Sequence, residues 1–254
     1  KGAAGNTLGR VFVTGVSPVT MDDLTSGFNI GTNYSLTPEF NEMIGFTEEE
    51  VRQMLTYYST TSPFNHSVDE LIEIMKPWYD NYCFAEETLS ESMFNSDMVL
   101  YCMKSLILHG VKPKEIVDPN IRTDFNKLAY LVRLDHGLGE NFSVIKEIAE
   151  QGEIVTEIVT HFSALEMTDV GNFKSLLFYF GLLSIKGVDM MGRPILHIPN
   201  LVVREQLFNF LIQGYARHDI FKLDVNRLRT LFENMSFKGD WKPMFEFLAE
   251  AIRE

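Results

Sequence analysis

The sequence predicts a mainly α-helical fold with a small β component. Apolar residues recur at helical spacing behind residues that commonly cap helices, and this pattern repeats along most of the chain. One later stretch alternates between apolar and polar residues around a glycine turn, as a β-hairpin does. The chain has 254 residues, of which 45% are hydrophobic, so it is long enough to bury one or more sizeable cores.

The opening stretch GRVFVTGVSPVTMDDLTSGFNI predicts a buried strand over residues 11–14, followed by a tight turn at Ser17-Pro18. The segment MDDLTS predicts a short helical turn after it. The stretch NIGTNYSLTPEF predicts a loop and a brief strand, with Pro38 as the break. The strand arrives soon after residue 1, which suggests a sheet that begins upstream of this chain.

Three helices are predicted next. In GFTEEEVRQMLTYYS, Thr47 has the position of an N-cap, with Glu50 three residues later as its reciprocal partner. A second helix lies in SVDELIEIMKPWYDNY, where Pro77 is expected to end or kink it. A third helix is predicted in SMFNSDMVLYCMKSLILHG, which has Asn95 or Ser96 as its cap and a glycine at its end.

Further helical patterns occupy residues 123–137, 143–150 and 171–183. Near residue 171 the pattern changes to helix, strand LLSIKGVD, turn MMGR, strand PILHIPN and helix. Leu196 and Ile198 alternate as in a half-buried strand, and Gly192 suits the hairpin turn. Helices that carry a terminal β-hairpin of this kind form a winged-helix module.

Composition narrows the class of protein. With 22 Lys and Arg against 35 Asp and Glu, the formal charge is −13, which disfavours nucleic acid and anionic membranes as general partners. Cys83 and Cys102 have neither a disulfide-scaffold pattern nor metal-ligand spacing. No apolar run approaches the ~20 residues that a membrane span needs, and the amino end lacks the apolar region of a signal peptide. The predicted location is therefore the cytoplasm.

Four stretches in order, VFVTGVSPVTMDDLTSGFNI, EFNEMIGFTEEEVRQML, KPWYDNYCF and LLFYFGLLSI...HIPNLVVREQLFNFL, resemble the AAA-ATPase-like family of gut bacteria. Members of that family usually carry a restriction-type nuclease domain after a P-loop ATPase module. The resemblance implies four units: residues 1–45 as the remnant of a P-loop α/β core, 46–165 as a helical lid domain, 166–218 as a winged helix, and 219–254 as a linker or the start of a following domain.

In such a protein the P-loop and the acidic magnesium strand precede residue 1, and the nuclease domain follows residue 254. The present sequence contains no G-x-x-x-x-G-K-[ST] motif. The resemblance thus implies ATP and Mg as cofactors of a longer parent protein and no cofactor for this chain alone. The expected partners are the upstream ATPase core and the downstream domain, with self-association through the exposed strand as a further possibility and no membrane.

The resemblance also assigns site residues. Thr14 would end a sensor strand beside the γ-phosphate of ATP, although threonine stands where such families often have arginine or asparagine. Alternatively, Thr14 and the following turn are purely structural. Tyr79, Asp80 and Tyr82 match a lid signature that would approach the nucleotide or the seam between core and lid, or else pack the interior.

Arg204, in the helix after the hairpin, is a candidate contact for a nucleotide phosphate or DNA, with a surface salt bridge as the alternative. Two functions follow from these residues. The first is the regulatory or interaction portion of an AAA-type ATPase, which couples nucleotide state to an effector, expected to be a nuclease. The second is a DNA-binding winged-helix protein, since residues 172–217 are locally basic, although LVVREQLFNFLIQGYAR is largely apolar. A catalytic role for the chain alone has no supporting motif.

Overall fold

The computed structural model describes residues 12, 14 and 15, 32–118, 139–217 and 224–253. Helices predominate in these ranges, and three short strands form one antiparallel sheet. The elements are α1 Glu48–Ser59, α2 Val68–Tyr79, α3 Ser96–His109, α4 Glu140–Gln151, β1 Glu153–Val155, α5 Val170–Tyr179, β2 Ser184–Val188, β3 Pro194–His197, α6 Leu201–Arg217, α7 Val225–Lys238 and α8 Lys242–Arg253. Short 3₁₀ helices occupy Pro38–Met43, Glu86–Thr88 and Ala164–Glu166.

The predicted helix caps are confirmed. Thr47 and Glu50 form a reciprocal capping box at the start of α1. Asn95, rather than Ser96, caps α3, because its side chain accepts a hydrogen bond from the Met98 backbone N–H. Gly110 ends α3 in the left-handed conformation. These signals are local in sequence, so they define the helix ends without tertiary help.

The predicted hairpin is also confirmed, and it belongs to a larger sheet than the sequence indicated. β2 and β3 pair antiparallel around the Gly192 turn. β1 pairs with the other edge of β3, which gives the strand order β1-β3-β2. The sequence analysis missed β1 because three residues are too few to display a period of two.

Two hydrophobic cores organise the helices. The first core lies among α1, α2 and α3 and includes Leu55, Met75 and Phe94, and α6 adds Val202 to it. The second core lies among α4, α5, α6 and the sheet. In the second core, helices α4 and α6 approach closely, since a Cβ added at Gly214 would lie 2.4 Å from Cε2 of Phe142. The boundary predicted after residue 165 falls inside this second core, and the division into units stays a prediction.

Two prolines differ from expectation. Pro38 is the first residue of the 3₁₀ helix Pro38–Met43 and does not interrupt secondary structure. Proline is tolerated at the first helical position because a backbone N–H there would have no partner within the helix. Helix α2 continues through Pro77 to Tyr79, so the proline lies in its last turn. The predicted turn in MDDLTS and the helical pattern at 123–137 lie outside the described residues, as do Val11 and Val13 of the predicted strand. The two described residues of that strand, Phe12 and Thr14, are exposed and belong to no strand, so the prediction of a buried strand is wrong at these positions.

The segment predicted as a linker or the start of a following domain contains two helices, α7 and α8, which pack on each other. Asp224 caps α7, and Gly239 ends it in the left-handed conformation. Across residues 32–118, 139–217 and 224–253, no helix combines the length and the apolar character needed to cross a membrane.

We expect the protein to lose stability above about pH 9. Burial raises the pKa of the Cys102 thiol from 9.0 to about 11. Below pH 9 the thiol is protonated in both folded and unfolded chains, whereas between these values only the unfolded chain ionises, which favours unfolding. The loss from this group reaches about 2–3 kcal/mol. Burial likewise raises the pKa of Tyr179 from 10.0 to about 12, which extends the decline to higher pH.

Urea unfolding measured from about pH 8 to about pH 11 tests this expectation. The variant Cys102→Ala removes the titrating thiol, so its free energy of unfolding should decline less steeply over this range, whatever its stability at pH 8. Equal slopes for the two proteins would show that Cys102 does not contribute.

Candidate functional site

The segment Asp80–Ala85, called here the joint segment, lies between the two cores. It follows α2, which belongs to the first core, and it contacts both β2 and the start of α6. Asn81 has a positive φ of 76°, a conformation that asparagine tolerates better than most residues. Tyr82 pairs with Met93 through two backbone hydrogen bonds of 3.2 and 2.7 Å, which fix the segment against the first core.

Asn200 connects the joint segment to α6. Its Oδ1 accepts a hydrogen bond from the Val203 backbone N–H at 3.2 Å, as an N-cap does. Its Nδ2 donates to the backbone carbonyl of Asp80 at 3.1 Å, and both residues are buried. One side chain therefore joins the end of α2 to the beginning of α6 across 120 residues of sequence.

Ser184 connects the joint segment to the sheet. The Cys83 backbone N–H donates to Oγ of Ser184 at 2.7 Å, and that hydroxyl donates to the Cys83 carbonyl at 3.3 Å. The Ile185 backbone N–H also donates to the Cys83 carbonyl at 3.2 Å. The joint segment thus pairs one backbone N–H at the outer edge of β2, that of Ile185.

Asn41 connects the joint segment to the 3₁₀ helix Pro38–Met43. Its Oδ1 accepts a hydrogen bond from the Phe84 backbone N–H at 2.8 Å, and its Nδ2 donates to the Glu91 carbonyl at 3.0 Å. Asn41 is fully buried. Burial of a polar side chain costs free energy unless its hydrogen bonds are made. These bonds therefore favour a single conformation of the joint segment.

Both predicted tyrosines lie at or beside the joint segment. The Tyr79 hydroxyl is in the interior and donates a hydrogen bond to the Ile116 carbonyl. Burial raises the pKa of Tyr79 well above its usual range. Burial also raises the pKa of Tyr82, while side-chain hydrogen bonds with Asn200 and Asn95 act in the opposite direction. In this structure both tyrosines are neutral packing groups with protein partners, and their predicted contact with a nucleotide stays a prediction.

Thr14 and Arg204 lie apart from this network. Thr14 is exposed, and Phe12, two residues before it, stacks on Phe40 with ring centroids 6.5 Å apart. No hydrogen bond joins Thr14 to either tyrosine among the described residues. Arg204 is exposed, and its Nη2 lies 3.8 Å from the position that a Cβ of Gly152 would occupy. Gly152 ends α4, so the guanidinium lies near the helix C-terminus, where positive charge is favourable.

The groups of the joint segment are occupied by hydrogen bonds within the protein. The Cys83 thiol is buried and donates to the Ala85 carbonyl at 3.1 Å. Within the described ranges, no group of three or more His, Cys, Asp or Glu residues is placed to hold a metal ion. The network consists of uncharged hydrogen bonds that connect the end of α2, the beginning of α6 and the edge of β2.

Sequence reasoning pointed to this segment through WYDNYCF but missed the residues that bind it. Asn200 had a usable signal, since an asparagine directly before an apolar helical pattern is a typical N-cap. Ser184 and Asn41 had none, because their partners are distant in sequence. Comparisons with protein-family models, with curated proteins and with solved structures found no match. The resemblance to AAA-ATPase-like proteins therefore stays a prediction.

Proposed function

We propose that this chain is the regulatory portion of a P-loop ATPase, made of a helical lid and a winged helix that couple nucleotide state to an effector domain. The parent protein would bind ATP and Mg through residues upstream of Lys1, and the effector downstream would be a nuclease. This proposal follows the resemblance of the four sequence stretches, and the arrangement of the two cores supports it.

The observation that carries the proposal is the joint segment. A lid that transmits a signal must be tied to the unit it moves, and the segment that resembles the lid signature is bonded to β2 and to α6. The order helix, strand, helix, hairpin in α4, β1, α5, β2 and β3 is compatible with a winged helix on the far side of this connection.

In this mechanism, nucleotide binding closes the upstream ATPase core against the lid. The hydrogen bonds of Asn200 and Ser184 make the two cores move together, so closure displaces the hairpin and α6. The free energy for this shift comes from the different affinity of ATP for the open and closed states. Thr14 serves as the group that senses a phosphate already held by the upstream loop.

Thermal unfolding with MgATP tests the ATPase assignment. The 254-residue chain supplies no P-loop lysine or phosphate loop, so we expect its Tm to stay unchanged at millimolar ATP. A longer chain that adds the upstream P-loop residues should be stabilised by about 2.7 kcal/mol when ATP is present at 100 times its Kd. A clear shift with the 254-residue chain would contradict the assignment, as would a longer chain that contains a P-loop but does not respond.

The variant Thr14→Val in that longer chain tests the sensing role. It should leave ATP binding nearly unchanged and lower the rate of hydrolysis, because the hydroxyl would act only on a bound phosphate. Equal binding and equal turnover in the variant and the wild-type protein would assign Thr14 a structural role instead.

DNA binding by the winged helix is the second candidate function. Two basic residues of the hairpin region already form ion pairs within the protein. Lys186 pairs with Glu153, and Arg193 pairs with Asp189 at 2.7 Å. Arg204 and Arg217 of α6 are exposed and would remain for contact with phosphates. Duplex binding measured at two salt concentrations distinguishes the candidates: micromolar affinity with a steep salt dependence favours a DNA reader, and no binding at low salt removes it.

A further inference from the structure

Helices α7 and α8 form a helical hairpin with one large exposed apolar surface. The turn at residues 239–241 is short, so the two helices run antiparallel and side by side. Phe247 is the buried hydrophobic residue of the pair, and the Arg227 guanidinium covers its ring at 4.9 Å. Neither helix makes a substantial contact with the other described elements.

The exposed side chains are regularly spaced. Trp241 directly precedes α8, and on the helix Phe245 and Ile252 stand seven residues apart, which places them within about 20° of each other around the helix axis. Their exposed fractions are 60%, 55% and 78%. Trp241 and Phe245 also contact each other edge to face, with ring centroids 6.1 Å apart. This is the spacing of a stripe that packs against another helix.

Val225 and Phe232 form the matching stripe on α7, and Phe232 is 53% exposed. In each helix, one stripe of residues faces the other helix, and the exposed stripe lies about 100° further around the helix axis. The direction of this rotation is the same in both helices. Because the helices are antiparallel, the two exposed stripes lie on the same side of the hairpin. We call this surface the aromatic face; its members are Val225, Phe232, Trp241, Phe245 and Ile252.

The charges beside the aromatic face are self-complementary. Arg229 and Glu233 are exposed along its α7 edge, and neither has an ion-pair partner among the described residues. The two residues stand four positions apart, with Leu231 midway between them. A two-fold axis near Leu231 would place Arg229 of each copy opposite Glu233 of the other copy. The charges at this edge therefore match those of a second copy in an antiparallel arrangement.

We propose that the aromatic face is a homodimer interface, in which two α7–α8 hairpins pack face to face as an antiparallel four-helix bundle. Each copy covers the aromatic stripe of the other, and the Arg229–Glu233 pairs form twice at the edge. Helical hairpins with one apolar face commonly reach a packed core in this way. The proposal does not depend on the nucleotide-linked function above, since it concerns a different surface.

Sedimentation equilibrium of the 254-residue protein across about 1–100 µM tests the proposal, a range that covers typical reversible dimers. We expect a monomer–dimer equilibrium in the wild-type protein. Phe245→Glu should raise the dimer Kd at least about 10-fold, because it places a carboxylate in the centre of the apolar interface. Met190→Glu is the matched control: this side chain is fully exposed in the β2–β3 turn and should leave the Kd unchanged.

A charge exchange gives a second, independent readout. Arg229→Glu should weaken the dimer because it opposes two carboxylates, and the double variant Arg229→Glu with Glu233→Arg should restore it. A wild-type protein that stays monomeric up to about 100 µM would overturn the proposal and leave the face to another partner. A dimer that Phe245→Glu and Arg229→Glu leave unchanged would also overturn it, since the dimer would then use another surface, such as residues 11–14.

Discussion

Asn200→Ala is expected to destabilise the protein by about 2–4 kcal/mol, as two separate losses add. The first loss is the N-cap of α6, because alanine cannot accept the hydrogen bond from the Val203 N–H. The second is the bond to the Asp80 carbonyl, which is left buried without its donor. Chemical unfolding monitored by circular dichroism measures the total.

Thr47→Ala serves as the control for Asn200→Ala. Thr47 caps α1 in an exposed capping box, so its loss reports the cost of a cap alone, about 1 kcal/mol. The difference between the two variants measures the contacts that Asn200 makes beyond its cap, which are the bond to the Asp80 carbonyl and the hydrogen bond with Tyr82. If both variants lose the same stability, the contact between Asn200 and Asp80 contributes nothing, and the joint segment is not held as described.

Gly45→Ala is the second substitution with a large expected effect. Gly45 has a φ of +111°, a conformation that alanine adopts only under strain. A Cβ at this position would also lie 2.8 Å from the Phe94 carbonyl oxygen and 3.0 Å from the Met93 Cβ. Neither atom belongs to the end of a flexible side chain, so the backbone must shift. We expect a loss of about 2–4 kcal/mol.

The contacts around Gly45 explain why the shift is costly. The next residue, Phe46, forms a two-way backbone bridge with Phe94, and Met93 pairs with Tyr82 of the joint segment. Gly192→Ala is the matched control, because Gly192 also has a positive φ but a Cβ there would have no neighbour within 4 Å. The variant at Gly192 should lose only the conformational part, about 1 kcal/mol. Equal losses at both positions would show that the close approach at Gly45 is relieved without cost.

If the proposed coupling is correct, the two substitutions should also differ in their functional effect. Asn200→Ala cuts a bond between the two cores, whereas Gly45→Ala disturbs the packing within the first core. In a longer chain that binds ATP, Asn200→Ala should therefore weaken the response of the effector domain more than it weakens ATP binding. Parallel loss of binding and response would indicate general destabilisation instead.

Much of the secondary structure could be predicted from the sequence alone. Thr47 with Glu50, Asn95 and Gly110 define helix ends through hydrogen bonds that span three or four residues, so the required partners stand close together in the chain. The β2–β3 hairpin is local in the same sense, because its turn and its alternation adjoin each other. The mainly helical class with a small sheet follows from these signals.

Only the tertiary structure decided how these elements are joined. β1 is three residues long and acquires its role by pairing with β3, about 40 residues later. The bonds of the joint segment connect Asp80 with Asn200 and Cys83 with Ser184, which are 120 and 101 residues apart. Local sequence patterns indicate the hydrogen bonds that a residue makes with its neighbours along the chain. The burial of a polar side chain depends instead on surfaces that meet only in the folded protein. For this reason the sequence determined the elements of the protein, and tertiary packing decided which residues couple its two cores.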